Sequence, residues 1–235
     1  MIDLNPQTAL VLFSGGQDSC TALIWALNTY ETVHTVGFHY GQRHNVEMEV
    51  RQDFLQKLRK QYPDLSSHLG EDHIINLQGL SEIGETAMTS EIEIVMDENG
   101  LPNTFVPGRN LAFFVMAGAL AYRLNAGILV GGMCETDYSG YPDCRSDTLD
   151  TLNQAINLGM ESNLKFETPL MQITKGDSWR LLEKLGGKDI VSFVNQGSHT
   201  CYKGVRETLH DWGYGCGKCP ACELRARGWY DYSTQ

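Results

Sequence analysis

An apolar run, residues 9–13 (ALVLF), leads straight into Ser14-Gly15-Gly16-Gln17-Asp18-Ser19, and helical spacing follows. An uninterrupted apolar run of this length suits a strand buried on both faces, as in a parallel sheet covered by helices. The same alternation continues downstream. Helices are expected at 20–29, 45–60, 110–124, 147–158 and 177–185, and strands at 32–40, 73–77 and 128–130. Residues 78–107 show no clean period and read mostly as loop. Alternating strands and helices imply right-handed βαβ units and an α/β fold with a mostly parallel sheet flanked by helices. In such sheets ligands bind beyond the carboxyl ends of the strands. The loops at 14–19, 41–45 and 131–145 fall there, and all three are rich in glycine and polar groups.

The 14–19 loop has the composition of an anion cradle. Gly15 and Gly16 tolerate positive φ and leave no Cβ between backbone amides and a ligand. The free N–H groups of the following helix point the same way, and Ser14 and Ser19 add hydroxyls. Asp18, an acid beside a phosphate, makes sense as a Mg²⁺ holder. A tight turn with Asp18 or Ser19 as helix N-cap is the plainer alternative. Neither a Walker-type nor a dinucleotide-type glycine loop occurs in the chain.

Cysteine placement supplies the second constraint. Of seven cysteines, Cys20, Cys134 and Cys144 are scattered, whereas four form Cys201-x14-Cys216-x2-Cys219-x2-Cys222. Four thiolates at these spacings suit one tetrahedral Zn²⁺ with no position left for water, hence a structural ion. An iron–sulfur cluster, a redox dithiol and a nucleic-acid zinc ribbon are the alternatives. A formal net charge of −11 argues against generic binding to a phosphate backbone. No segment approaches a membrane span and no basic, apolar leader opens the chain, so a cytoplasmic protein is expected. The cysteine cluster suggests a main domain over residues 1–195 and a zinc-binding subdomain over 196–235.

Three segments carry substrate-side chemistry. In NTFVPGRN (103–110), Arg109 falls in the first turn of an apolar helix, where the macrodipole disfavours a cation, so an anionic partner is expected. The 131–145 loop gathers Glu135, Asp137, Tyr138, Tyr141, Asp143 and Arg145. Acids can accept from the N–H groups of a purine-like base while tyrosines stack on its face. FETPLMQITK (166–175) ends on Lys175, which can reach a phosphate or a carboxylate.

SGGQDS resembles the PP-loop of the ATP pyrophosphatase superfamily, with its adenine-nucleotide α-hydrolase-like (Rossmann-like) fold. Together with YGQRH (40–44), NTFVPGRN, CETDYSGYPDCR (134–145), FETPLM and the C-terminal cysteines, the chain resembles the QueC family of 7-cyano-7-deazaguanine synthases of queuosine biosynthesis. One departure is a longer segment between Cys201 and Cys216. The resemblance implies a homodimeric C–N ligase that converts 7-carboxy-7-deazaguanine, ammonia and ATP to the 7-nitrile through adenylated carboxylate and amide intermediates. It implies ATP contacts from Phe13, Ser14, Gly15, Gly16, Gln17, Asp18, Ser19, Cys20, Thr21, Ala22 and Leu23. Catalytic anion handling falls to Asp18, Arg109 and Lys175, base recognition to the Glu135–Arg145 loop, and structural zinc to the four clustered cysteines. Direct nucleic-acid and membrane partners are not expected. His39, His44 and His199 are candidate proton shuttles. A tRNA-thiolating PP-loop enzyme is the rival reading; it would want a basic RNA face and a catalytic cysteine pair.

Overall fold

A computed structural model describes residues 1–41, 46–82, 103, 105–135 and 141–234. Five strands form one parallel sheet: β1 (Asn5–Leu12), β2 (Thr32–His39), β3 (Leu69–Asn76), β4 (Ala126–Val130) and β5 (Lys165–Glu167). Their order is β3-β2-β1-β4-β5. The helices are α1 (Gln17–Leu27), α2 (Val46–Gln61), α3 (Pro63–Ser66), α4 (Arg109–Arg123), α5 (Ser146–Met160), α6 (Lys175–Gly197) and α7 (Pro220–Ser233). A two-residue hairpin, β6 (Leu209–His210) with β7 (Gly213–Tyr214), lies in the segment between Cys201 and Cys216.

The apolar run behaves as its composition requires. Alternate side chains of a strand face opposite sides, so Ala9, Val11 and Phe13 enter one core layer while Leu10 and Leu12 enter the other. The first layer holds Leu23, Leu27, Phe54, Leu58, Trp179 and Val194 from α1, α2 and α6. The second holds Phe114, Ala117, Leu149 and Ile156 from α4 and α5. The α2 stripe Val50, Phe54 and Leu58 is buried as its spacing predicts.

The expected helices and strands are all present, with shifted ends. β3 starts at Leu69 rather than 73, because an edge strand with one exposed face gives a weak apolar signal. α6 continues beyond Leu185 across non-helical Gly186 and Gly187, where two helical pieces meet at a kink. β5 and α7 were not expected. α7 packs on α6 through Trp229 against Trp179 (ring centroids 5.1 Å) and a 2.8 Å bond from the Tyr232 hydroxyl to Glu183 Oε2.

Strand order reverses between β1 and β4. In open α/β sheets this reversal opens a crevice at the carboxyl ends of the strands. Described residues that follow β1, β2 and β4, namely Ser14, Tyr40 and Gly132, line it.

Candidate active site and metal centre

The 14–19 loop turns directly from β1 into α1. Gly16 is the N-cap residue and contributes no side-chain cap, so neither Asp18 nor Ser19 caps the helix. The Ser19 hydroxyl organises the turn from within: Ser14 N and Gly15 N donate to its Oγ at 3.2 and 3.1 Å, and it donates to Gly16 O at 3.1 Å. The amides opening α1 have no intrahelical acceptor and remain available to an anion.

Two buried braces fix this turn from outside. Arg51 of α2 is fully buried; its Nε donates to Phe13 O at 2.9 Å, and its Nη1 donates to Asp72 Oδ2 at 3.0 Å. Arg51 packs so closely that a Cβ on Gly15, whose φ is +85°, would meet its backbone at 3.1 Å. From the other side His199 N donates to Gly15 O at 2.9 Å. His199 is buried, and burial lowers its imidazole pKa. Its place is that of a brace to the loop, two residues from Cys201.

Lys175 opens α6, which a Thr174–Asp177 capping box begins. Its Nζ donates to Asp18 Oδ1 and Oδ2 at 2.7 and 2.8 Å, so the sequence-expected lysine and acid meet across 157 positions. Gly132, after β4, lies against the same turn: a Cβ there would sit 2.8 Å from the Asp18 carbonyl carbon.

A cleft of about 310 Å³ runs from Ser14, Asp18 and Ser19 to Tyr40, Glu47, Arg109 and Tyr141. Phe38 and Phe113 stack on its wall at 4.3 Å, and the Arg109 guanidinium lies 5.6 Å from the Tyr40 ring centre. Burial works against the Arg109 charge, but the facing Tyr40, Tyr141 and Asp143 outweigh it and raise its pKa above the ordinary guanidinium value. Arg109 Nε is buried without a hydrogen-bond partner among the described residues. Burial pushes the Tyr40 hydroxyl up to about 12.

The 131–145 segment is divided in its placement. Tyr141 lines the cleft, while Asp143 is turned to the start of α4, accepting from Asn110 N at 3.1 Å and Asn110 Nδ2 at 3.2 Å. Asp143 thus serves the amide end of α4, and its charge reaches Arg109 through space. Glu135 and Arg145 are exposed and do not line the cleft. Asp137, Tyr138 and His44 lie outside the described residues. Of the wider nucleotide segment, Phe13 borders the cleft, Gln17 donates from Nε2 to Ser178 Oγ at 3.0 Å, and Cys20, Thr21, Ala22 and Leu23 face the core. Sequence reasoning missed Arg51 and Glu47; each sits on the expected α2, but nothing in its spacing marks it.

The four C-terminal cysteines converge, with Sγ atoms all within 4.8 Å of one another and Cys201, Cys219 and Cys222 buried. Lys218 N donates to Cys216 Sγ at 3.4 Å, as expected of a tight turn around a metal-bound thiolate. Cys219 is the N-cap of α7 and Pro220 its first residue, so the helix starts at the cysteine cluster. This donor set fits Zn²⁺. Arg225 of α7 is fully buried and donates to Trp212 O, Asn195 O and Thr200 Oγ1 at 2.7, 2.7 and 3.0 Å, tying the cysteine region to α6.

A parallel sheet that reverses order beside a glycine-rich turn, with four clustered cysteines braced behind that turn, gives this chain an α/β fold of the adenine-nucleotide α-hydrolase-like class. Its fold is similar to that of a 4-thiouridine synthetase solved with RNA and bound ATP (TM-score 0.53, 16% identity, 97% of this chain and 54% of that one). Residues 8–233 match the family model described as "Queuosine biosynthesis protein QueC", and the chain belongs to that family of enzymes. Relatives named 7-cyano-7-deazaguanine synthase are similar over nearly the whole length. That of Janthinobacterium sp. (strain Marseille) is 60% identical over 97% of both chains. That of Zymomonas mobilis is 57% identical over 97% of this chain and 90% of its own.

Proposed function

We propose that the chain converts 7-carboxy-7-deazaguanine, ammonia and ATP into 7-cyano-7-deazaguanine. The observation that carries this reading is that the 14–19 turn and the Arg109 wall open into one cleft. A triphosphate and a carboxylate can therefore lie side by side. The difficulty of the reaction is that a carboxylate oxygen is a poor leaving group. Adenylation removes it: the carboxylate attacks the α-phosphorus and pyrophosphate departs, with the charge that develops on the phosphates met by the opening amides of α1 and by Lys175. Ammonia displaces AMP to give the amide; the amide oxygen then attacks the α-phosphorus of a second ATP, pyrophosphate departs, and loss of AMP together with the two nitrogen protons gives the nitrile.

Arg109, with a raised pKa and an unpartnered Nε, holds the substrate carboxylate in line. Asp18, whose carboxylate pairs with Lys175 in this structure, would hold a Mg²⁺ once Lys175 turns to the phosphates, and that ion would neutralise phosphate charge. Zn²⁺ on Cys201, Cys216, Cys219 and Cys222 is structural, and residues 196–235 form the subdomain it closes. Burial raises the Cys20 and Cys144 thiol pKa values, Cys144 to about 12, which speaks against the thiolating alternative because such thiols stay protonated. The reading includes a cytoplasmic homodimer with no direct nucleic-acid partner. Among the described residues no helix is long and apolar enough to cross a membrane.

The test is incubation with the 7-carboxy base, ATP, Mg²⁺ and ammonium, followed by mass spectrometry. Nitrile, AMP and pyrophosphate are expected. Folded protein that yields no nitrile, amide or adenylate removes the assignment.

A further inference from the structure

Of the acids in the 131–145 segment, Asp143 caps α4, Glu135 lies outside the cleft, and Asp137 lies outside the described residues. Among the described residues, the acids that line the cleft are Asp18 and Glu47. Asp18 is occupied by Lys175. Glu47 stands in the first turn of α2, on the wall formed by Phe38, Tyr40 and Phe113. Its carboxyl accepts no hydrogen bond from a described residue, and the Arg109 charge reaches it only through space. A carboxylate placed against aromatic rings without donors is costly unless a ligand brings them.

A guanine-type ring presents two parallel donors on one edge, the ring N1–H and the 2-amino N–H, spaced to meet the two oxygens of one carboxylate. Resting on the function proposed above, we propose that Glu47 is the specificity-determining residue for the 7-deazaguanine ring, accepting N1–H and the 2-amino group while Arg109 holds the carboxylate. Burial raises the Glu47 pKa, and donors arriving with the ring would favour the ionised form.

The test compares 7-deazaguanine with 7-deazahypoxanthine, which lacks the 2-amino group, as competitive inhibitors against the 7-carboxy base. Turnover by the unmodified enzyme is checked first; its absence removes the proposed function and leaves Glu47 unaddressed by that failure, so the same two rings are then compared by calorimetry. The unmodified enzyme should bind the guanine ring about 10- to 100-fold more tightly, the range of one charge-assisted hydrogen bond. In Glu47→Gln, of equal size, this preference should fall to within about threefold, with the KM for ATP little changed. Equal affinity of the unmodified enzyme for the two rings overturns the proposal, and this measurement needs no variant to fold. So does a Glu47→Gln enzyme that keeps the preference and loses only kcat, which would make Glu47 a proton-transfer group.

Discussion

Gly132→Ala isolates the contact between Gly132, after β4, and the 14–19 turn. Gly132 does not have positive φ, so alanine brings no backbone strain of its own. Its methyl would lie 2.8 Å from Asp18 C, 2.9 Å from Asp18 O and 3.0 Å from Ser19 N, where ordinary contact begins near 3.4 Å. The first turn of α1 must therefore retreat by about 0.6 Å, a displacement of backbone that no rotamer change relieves. Overpacking of this kind costs about 2 kcal/mol, or roughly 4–8 °C of Tm for a chain this long. The catalytic loss should be larger, because a misplacement of about 1 Å near the chemistry can cost 10²-fold. We expect kcat/KM for ATP to fall at least about 10-fold. The assay is pyrophosphate release against ATP concentration, beside a thermal scan. Gly79→Ala, whose methyl would meet nothing within 4 Å, serves as control and should match the parent. A Gly132→Ala enzyme with parental KM and Tm would show that the two loops are not in the tight contact described.

Further outcomes follow from other contacts. Cys219→Ser should lose bound zinc by atomic emission and, through the His199–Gly15 bond, also weaken ATP binding; retained zinc and unchanged nucleotide affinity would contradict this coupling. Arg225→Met leaves three acceptors without their donor and should lower stability by about 3 kcal/mol in urea titration; a loss below about 1 kcal/mol would count against the brace. Lys175→Met should abolish most turnover while moving Tm little, because Asp18 is partly open to water; unimpaired pyrophosphate release would refute a role in phosphate handling. Glu47 has a folded-state pKa above the ordinary 4.5, so the folded chain holds its proton more tightly than the unfolded chain does. Stability from this group is thus lost as pH rises above that value. Glu47→Gln should be the more stable protein at neutral pH, with the gap closing in acid; a gap independent of pH would sink the assignment of burial as cause.

Much of this architecture was readable from residue pattern alone. Residues 9–13 needed no alternation to be a strand, since both faces are buried, and the α2 stripe announced its core side. The 14–19 turn and the clustered cysteines combine uncommon residue types at short spacing, so they stand out locally as candidate sites. What escaped notice depends on partners far apart in the chain. Arg51 binds the carbonyl of Phe13, 38 positions away, and Arg225 binds that of Asn195, 30 away. Every residue carries a carbonyl, so the sequence holds no mark of such an acceptor. β5, with three residues, is too short to show a period. Asp143 was legible as an acid in a functional loop, but an Asx cap and a ligand-binding carboxylate have the same composition. Glu47 falls on what reads as the polar face of an amphipathic helix.

The bonds from Arg51 to Phe13 O and from His199 to Gly15 O have a thermodynamic consequence. They clamp the 14–19 turn on both flanks, so its conformational entropy is surrendered when the chain folds and, on the function proposed above, not when nucleotide docks. Nucleotide affinity in this enzyme should therefore be set by how firmly the two flanking bonds hold, and weakening either would appear as an added entropic penalty on association with little change in enthalpy.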